Sequence, residues 1–337
     1  MKKGWLGLIV LMVAFAVVAA GCGSKTNNTE NSPSNTNTGK ANSDTGTANG
    51  DTGNAKADDV REIKHAMGTT KLTGTPKRVV ILTNEGTEAL LALGVKPVGA
   101  AESFEGDPWY PHIKDQMEGV QDVGGESQPN IELIASLKPD LIIGNKMRQE
   151  KVYDQLNAIA PTVMAETLRG EWQANFKLYA EALNKKAEGD QLLADFDKKI
   201  ADAKATLGDK LQQKVSIVRF MPDKTRIYYN ETFSGMVLDK LGFARPAAQS
   251  KDGFADDVNK DRIPDMDGDI LFYFMYNPDG SDATQKVADE WMNDPLWKNL
   301  SVAKKNNVHM VDDAIWNTSG GIISANKMVD ELLTYFK

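Results

Sequence analysis

Four arginines occupy positions from which they could bind carboxylate groups. Arg148 follows an apolar strand, and ligands of open α/β sheets gather at the carboxyl ends of strands. Arg219 ends the first strand of the second half, Arg226 lies in a turn just before Tyr228, and Arg169 precedes a long helical stretch. A guanidinium donates two hydrogen bonds to one carboxylate and stays charged at physiological pH. The positions predict an anion-binding cleft, and the alternative for each arginine is a solvated surface charge or an internal ion pair.

Aromatic and amide side chains accompany these arginines. Trp316 and Asn317 lie between a predicted strand and the last helix, beside a diglycine. A tryptophan in such a loop is predicted to form a wall of the cleft, with Asn317 as a hydrogen-bond donor and Tyr228 facing it from the second half. Three further aromatics are assigned either to the rim of the cleft or to the core: Phe104, Trp109 and Tyr110.

The first 59 residues read as an export signal and a tether. A short basic start, an apolar run from Leu6 to Ala20 and the small residues before Cys22 resemble a bacterial lipoprotein signal, predicted at 1–21, with Cys22 as the lipidated residue. Residues 22–59 are rich in Asn, Thr, Gly, Ser and Asp, which cannot form a core, so we predict a disordered tether.

Strands and helices alternate through the rest of the chain. The sequence predicts an α/β fold with an N-terminal lobe at 60–170, a linking helix at 171–209 and a C-terminal lobe at 210–337. Asn130 is a predicted N-cap. The linking helix is expected to be one long element, broken at most near Gly189.

Composition and motifs exclude several functions. The formal net charge of −8 argues against a nucleic-acid partner. The three histidines have no paired spacing and Cys22 is the single cysteine, so we expect no resident metal site. Nucleophile, phosphate-loop and dinucleotide motifs are absent, so we expect a binding protein rather than an enzyme. A structural surface lipoprotein, without small-ligand affinity, is the remaining alternative.

Short motifs in fixed order carry a family resemblance. The chain resembles the class III periplasmic-type binding proteins, and within them the Gram-positive receptors for citrate-derived siderophores of the staphyloferrin B and schizokinen type. The motifs span nearly the whole body of the chain: Pro76 to Val80, Leu93 to Gly99, Leu137 to Ile142, Lys151 to Leu156, Ile159 to Thr162, Thr225 to Tyr228, and Trp316-Asn317.

The resemblance implies two Rossmann-like lobes joined by a single long backbone helix, with the ligand in the cleft between them. The implied ligand is a ferric siderophore of citrate-based hydroxamate or hydroxycarboxylate type, and a catecholate siderophore or cobalamin is the alternative. Arg148 and Arg226 match basic ligand-binding positions of the family. Iron would travel inside the ligand, so no cofactor is expected.

The resemblance also implies partners and a location. The receptor would be a monomer, anchored through Cys22 to the extracellular face of the cell membrane, and would deliver its ligand to an ABC permease and its ATPase. Glu132 matches the family's docking acid in the first lobe. For the second lobe the candidates are Glu231 and Asp239.

Overall fold

The computed structural model describes residues 60–168 and 170–337. The signal peptide at 1–21, the tether at 22–59 with Cys22, and Arg169 lie outside these residues. None of the described helices is long and apolar enough to cross a membrane.

The N-terminal lobe is built on a five-stranded parallel sheet. Its strands are β3 (Val79–Ile81), β4 (Gly99–Ala100), β5 (Gln121–Asp122), β6 (Leu141–Asn145) and β7 (Thr162–Ala165), in the order β5-β4-β3-β6-β7. The helices between them are α1 (Asn84–Ala92), α2 (Ile131–Ser136), α3 (Lys146–Gln149) and α4 (Tyr153–Ile159). After β3 the chain adds β4 and β5 on one side of it, and then crosses over to add β6 and β7 on the other side. The carboxyl ends of β3 and β6 therefore form a topological switch point.

Side-chain caps explain where two of these helices begin. Thr83 accepts a hydrogen bond from the Gly86 amide at the start of α1, and Asn130 accepts one from the Leu133 amide, as predicted. An antiparallel hairpin of β1 (Val60–His65) and β2 (Gly68–Thr73) precedes the sheet.

The C-terminal lobe contains a five-stranded mixed sheet. Its strands are β8 (Val215–Phe220), β9 (Thr225–Tyr228), β10 (Ala255–Val258), β11 (Ile270–Met275) and β12 (Val308–Met310), in the order β10-β9-β8-β11-β12. β8, β11 and β12 run parallel to one another, whereas β9 pairs antiparallel with both of its neighbours, β8 and β10. The helices are α7 (Phe233–Leu241), α8 (Ala283–Met292), α9 (Pro295–Asn299), α10 (Ser301–Lys304) and α11 (Ile322–Tyr335).

The stretch at 171–209, predicted to be one long helix broken at most near Gly189, is two helices, so the expectation of a single element was wrong. α5 (Trp172–Ala182) packs on the N-terminal lobe, and α6 (Lys186–Leu207) is the element that connects the lobes. The break lies at Asn184, whose left-handed φ of 58° ends α5. Gly189 lies inside α6, where a Cβ would come within 2.5 Å of the Ala180 Cβ. The glycine therefore permits the two helices to pack closely and does not break the helix.

One hydrophobic core is shared by both lobes. In the first lobe it includes Ile81 of β3 and Phe176 of the helix 172–182. In the second lobe it includes Phe272 of β11 and Leu332 of α11. The helix α11 of the second lobe also packs against α1 of the first. The two lobes are therefore packed against each other as well as joined through α6.

Candidate functional site

A cavity of about 370 Å³ lies between the lobes. Its N-terminal-lobe wall comes from the segments that follow β3, β4, β5, β6 and β7. Its other wall comes from β8 and β9, from the segments after β9, β11 and β12, and from Phe254 just before β10. Ligand sites form at such carboxyl ends of parallel strands. Three predicted arginines, Arg148, Arg219 and Arg226, line this one cavity.

Arg148 is presented by α3, which begins directly after β6. Its side chain is 38% exposed, and its Nε lies 3.3 Å from the Glu126 Oε2. The Glu126 Oε1 accepts hydrogen bonds from the Asn84 amide at 2.8 Å and from its Nδ2 at 3.1 Å. Burial raises the pKa of Glu126, although the hydrogen bonds from Asn84 and the charge of Arg148 act to lower it. Arg148 is thus held at the cavity wall by its ion pair with Glu126, and its guanidinium has the geometry for a bidentate contact with a ligand carboxylate.

Arg219 is buried at the end of β8. Its Nη2 lies 2.8 Å from the Asp313 Oδ2, its Nη1 lies 3.5 Å from the Tyr228 hydroxyl, and its Cζ lies 4.7 Å from the ring centroid of Tyr276. Its Nε has no hydrogen-bond partner among the described residues. Burial disfavours the charge, but the Asp313 carboxylate and Tyr228 outweigh burial and raise the pKa of Arg219. The structure thus holds a charged guanidinium at the cavity wall.

Strand register brings Arg226 beside Arg219. The two arginines are paired across β8 and β9, so their side chains share one face of the sheet, and Tyr228 lies two residues further on the same face. Arg226 Nε is 2.6 Å from the Oδ1 of Asp257, its partner across β9 and β10. Asp257 lies in β10, and its carboxylate orients the guanidinium of Arg226.

Trp316 is not a wall of the cleft, and that prediction was wrong. Its side chain is fully buried, its Nε1 donates to the Glu331 Oε2 at 2.6 Å, and its ring lies 4.7 Å from that of Phe272. The segment Ala314–Thr318 forms a π-helical turn rather than an open loop, and this turn directs the indole into the core. Asn317 does line the cavity, as predicted, and its Nδ2 lies 3.3 Å from the Asp313 Oδ1.

Several cavity residues were not identified from the sequence. Glu85 and Glu126 contribute buried carboxyl groups, Trp172 and Tyr276 contribute rings, and Phe104, assigned only to a rim or the core, lines the cavity and is exposed. Glu85 could have been found, because it follows the first strand of the lobe by the same logic that identified Arg148. The other predicted rim aromatics, Trp109 and Tyr110, are buried in the core.

The predicted docking acids are all exposed. Glu132 lies in the first turn of α2, at the edge of the sheet where β5 ends. Glu231 precedes α7 at the end that contributes Phe233 to the cavity, whereas Asp239 lies in the last turn of that helix. Glu231 is therefore the better placed of the two second-lobe candidates for a partner that approaches the cavity mouth.

Within the described ranges, no group of three or more His, Cys, Asp or Glu side chains is arranged to hold a metal ion. The cavity instead offers guanidinium groups and aromatic rings, which are suited to a polyanionic ligand with an apolar scaffold.

The sequence and the fold have extensive relatives. The sequence pattern of the family described as periplasmic binding protein matches residues 79–314. The chain is 53% identical to a probable siderophore-binding lipoprotein, YfiY, of Bacillus subtilis (strain 168), over 100% of this chain and 99% of the relative. It is 33% identical to the achromobactin-binding periplasmic protein of Dickeya dadantii (strain 3937), over 76% of this chain and 85% of that protein.

A solved structure matches the fold. The crystal structure of Staphylococcus aureus SirA complexed with staphyloferrin B superposes with a TM-score of 0.76 at 39% identity, covering 82% of this chain and 98% of that one. The predicted α/β fold of two lobes joined by a helix is confirmed.

Proposed function

The chain belongs to the periplasmic binding protein family, and we propose that it is a receptor for a ferric siderophore of the citrate-derived, carboxylate-rich type. The observation that carries the proposal is the convergence of Arg148, Arg219 and Arg226 on one cavity between the lobes. SirA was crystallised with staphyloferrin B, and the Dickeya relative is named for achromobactin, which supports this ligand class.

The cavity chemistry favours a saturated iron complex over a free ion. Guanidinium groups bind peripheral carboxylates of a chelate and are not iron ligands, so the iron travels inside the ligand and the protein needs no cofactor. The receptor binds and releases its ligand without chemical turnover. It is anchored at the extracellular face of the membrane through a lipid on Cys22, which agrees with the lipoprotein name of the Bacillus relative, and it acts as a monomer.

Titration of the tryptophan fluorescence tests the ligand class. Trp172 lies in the cavity wall, so a bound ferric complex is expected to quench its emission. The panel consists of ferric staphyloferrin B, ferric citrate, a ferric catecholate siderophore and cobalamin. We expect saturable quenching with ferric staphyloferrin B and weaker binding of the catecholate and cobalamin. Tighter binding of either of those two would contradict the proposed class.

Replacing Arg148 by alanine is expected to weaken binding of ferric staphyloferrin B about 10- to 100-fold. A charge-assisted hydrogen bond contributes about 1.5 to 3 kcal/mol, and about 1.4 kcal/mol corresponds to a factor of ten. Arg148→Lys should recover only part of the loss, since an ammonium cannot reproduce the bidentate fork. The unfolding midpoint should change little, because the Arg148 side chain is 38% exposed and water screens its charge.

Arg262 provides a matched control for that substitution. Its side chain is 39% exposed and is also paired with an acid, Asp265, but it does not line the cavity. Arg262→Ala should bind as the wild type does. Equal affinities for all three proteins would show that Arg148 is not part of the site.

We also propose that the loaded receptor docks on an ABC permease, with its ATPase, through Glu132 and Glu231. Glu132→Lys is expected to abolish siderophore-dependent iron uptake while the affinity for ferric staphyloferrin B is retained, because the side chain is exposed outside the cavity. Glu118→Lys is the control, since Glu118 is exposed at the opposite edge, where β5 begins. Loss of affinity in Glu132→Lys, or equal loss of uptake in both variants, would contradict the docking role.

A further inference from the structure

The cavity contains a carboxyl group with no cation beside it. Glu85 lies in the first turn of α1, lines the cavity and is only 6% exposed. Its Oε1 has no hydrogen-bond partner among the described residues, and no ion pair to Glu85 occurs there. Glu126, the other cavity acid, also has an oxygen without a hydrogen-bond partner, Oε2, but that oxygen lies 3.3 Å from Nε of Arg148 in an ion pair, and its Oε1 accepts from Asn84.

The charged groups that face Glu85 oppose its ionisation. They are Glu88 on its own helix and Glu126 from the loop after β5, and both disfavour a second negative charge. The polar neighbours are the amide of Asn175 and the hydroxyl of Tyr179, both from α5. Burial, reinforced by the charges of Glu126 and Glu88, raises the pKa of Glu85 to about 8, although Asn175 and Tyr179 act in the opposite direction. At pH 7 the carboxyl group therefore carries a proton and is a hydrogen-bond donor.

A neutral carboxylic acid has a clear use in a site for a polyanion. An ionised Glu85 would repel ligand carboxylates and offset the attraction of the arginines, whereas a protonated one can donate to a ligand oxygen. We propose that Glu85 is a specificity-determining residue that donates a hydrogen bond, as a neutral acid, to an acceptor oxygen of the bound chelate. This inference rests on the proposed function. It adds a hydrogen-bond donor, Glu85, that favours ligands with an acceptor oxygen close to its carboxyl group.

The pH dependence of binding tests the donor. If only the protonated form binds, the apparent Kd scales inversely with the protonated fraction, so it should rise about tenfold between pH 7 and pH 9 for a group titrating near 8. The affinity for ferric staphyloferrin B is measured from pH 6.5 to 9 for the wild type and for Glu85→Gln. The glutamine amide donates at every pH, so this variant should bind about two- to threefold more weakly at pH 7 and lose the alkaline decline.

Controls separate Glu85 from other titrating groups. The same ligand is used throughout, so ionisation of the chelate cancels in the ratio of variant to wild-type Kd. Glu118→Gln, at an exposed acid outside the cavity, should retain the wild-type profile. Glu85→Leu, which keeps the volume but removes the donor, should weaken binding about tenfold at pH 7. Circular dichroism checks that each variant is folded.

Two results would overturn the inference. An alkaline decline that persists in Glu85→Gln would assign the titration to another group, and affinity that increases with pH would mean an ionised Glu85 pairs with a cationic group of the ligand. The infrared carbonyl band of a protonated carboxyl, present in the apo wild type and lost in Glu85→Gln, reports the charge state without any ligand. If the wild type binds no member of the panel, the proposed function is overturned, and so is the proposed contact between Glu85 and the ligand. The infrared band would still show whether the Glu85 carboxyl group is neutral.

Discussion

Trp316→Ala is expected to destabilise the protein by about 3 to 5 kcal/mol, the range for removing a buried aromatic side chain. The indole is fully buried against Phe272, and its Nε1 is the donor to the half-buried Glu331. The substitution therefore leaves a cavity in the shared core and removes a hydrogen bond from a carboxylate whose pKa burial already raises. Urea denaturation followed by circular dichroism measures the loss.

Trp316→Phe is the matched variant for this experiment. It keeps a ring against Phe272 but removes the donor to Glu331, so its stability should lie between those of the wild type and the alanine variant. An unchanged unfolding midpoint in Trp316→Ala, combined with a large loss of ligand affinity, would restore the cleft-wall role and contradict the packing described here.

The alternation of strands and helices was predictable because the central strands are buried on both faces. β6 and β8 are buried at every position and rich in Leu, Ile and Val. β10 was missed because Asp256 and Asp257 occupy its centre, and the apolar pattern of a strand is absent there. Those acids instead pair with basic side chains of neighbouring segments, which single-sequence periodicity cannot reveal.

The same limit explains what was found and missed in the site. Position after a strand identified Arg148 and Arg219, because the carboxyl ends of parallel strands meet at one edge. Burial was not predictable from position, so Trp316 was assigned to the surface and Glu85 was overlooked. Acids are common in the first turn of a helix because they interact favourably with the helix dipole. The position of Glu85 in the sequence therefore did not indicate that it lines the cavity.

Arg219→Ala is expected to have a double effect: a loss of about 3 to 5 kcal/mol in stability and the largest loss of affinity among the cavity arginines. Removing one partner of a buried ion pair leaves the other charge uncompensated, and that range is typical of such substitutions. Among the described residues, Asp313 would retain the side chains of Asn317 and Thr318 as its donors. Because Arg219 is the most buried of the three arginines, its contact with a ligand carboxylate should be worth about 3 kcal/mol, or about two orders of magnitude in Kd.

The double variant Arg219→Ala with Asp313→Ala separates the two effects. Without the buried carboxylate, a substantial part of the lost stability should return, since replacing both partners of a buried pair costs less than replacing one. Affinity for ferric staphyloferrin B should stay about 100-fold below that of the wild type, because the guanidinium of Arg219 is still absent from the cavity. Urea denaturation and fluorescence titration are carried out on the wild type, both single variants and the double variant. If the double variant recovered wild-type affinity, the role of Arg219 would be limited to neutralising Asp313, and recognition of the ligand would fall to Arg148 and Arg226.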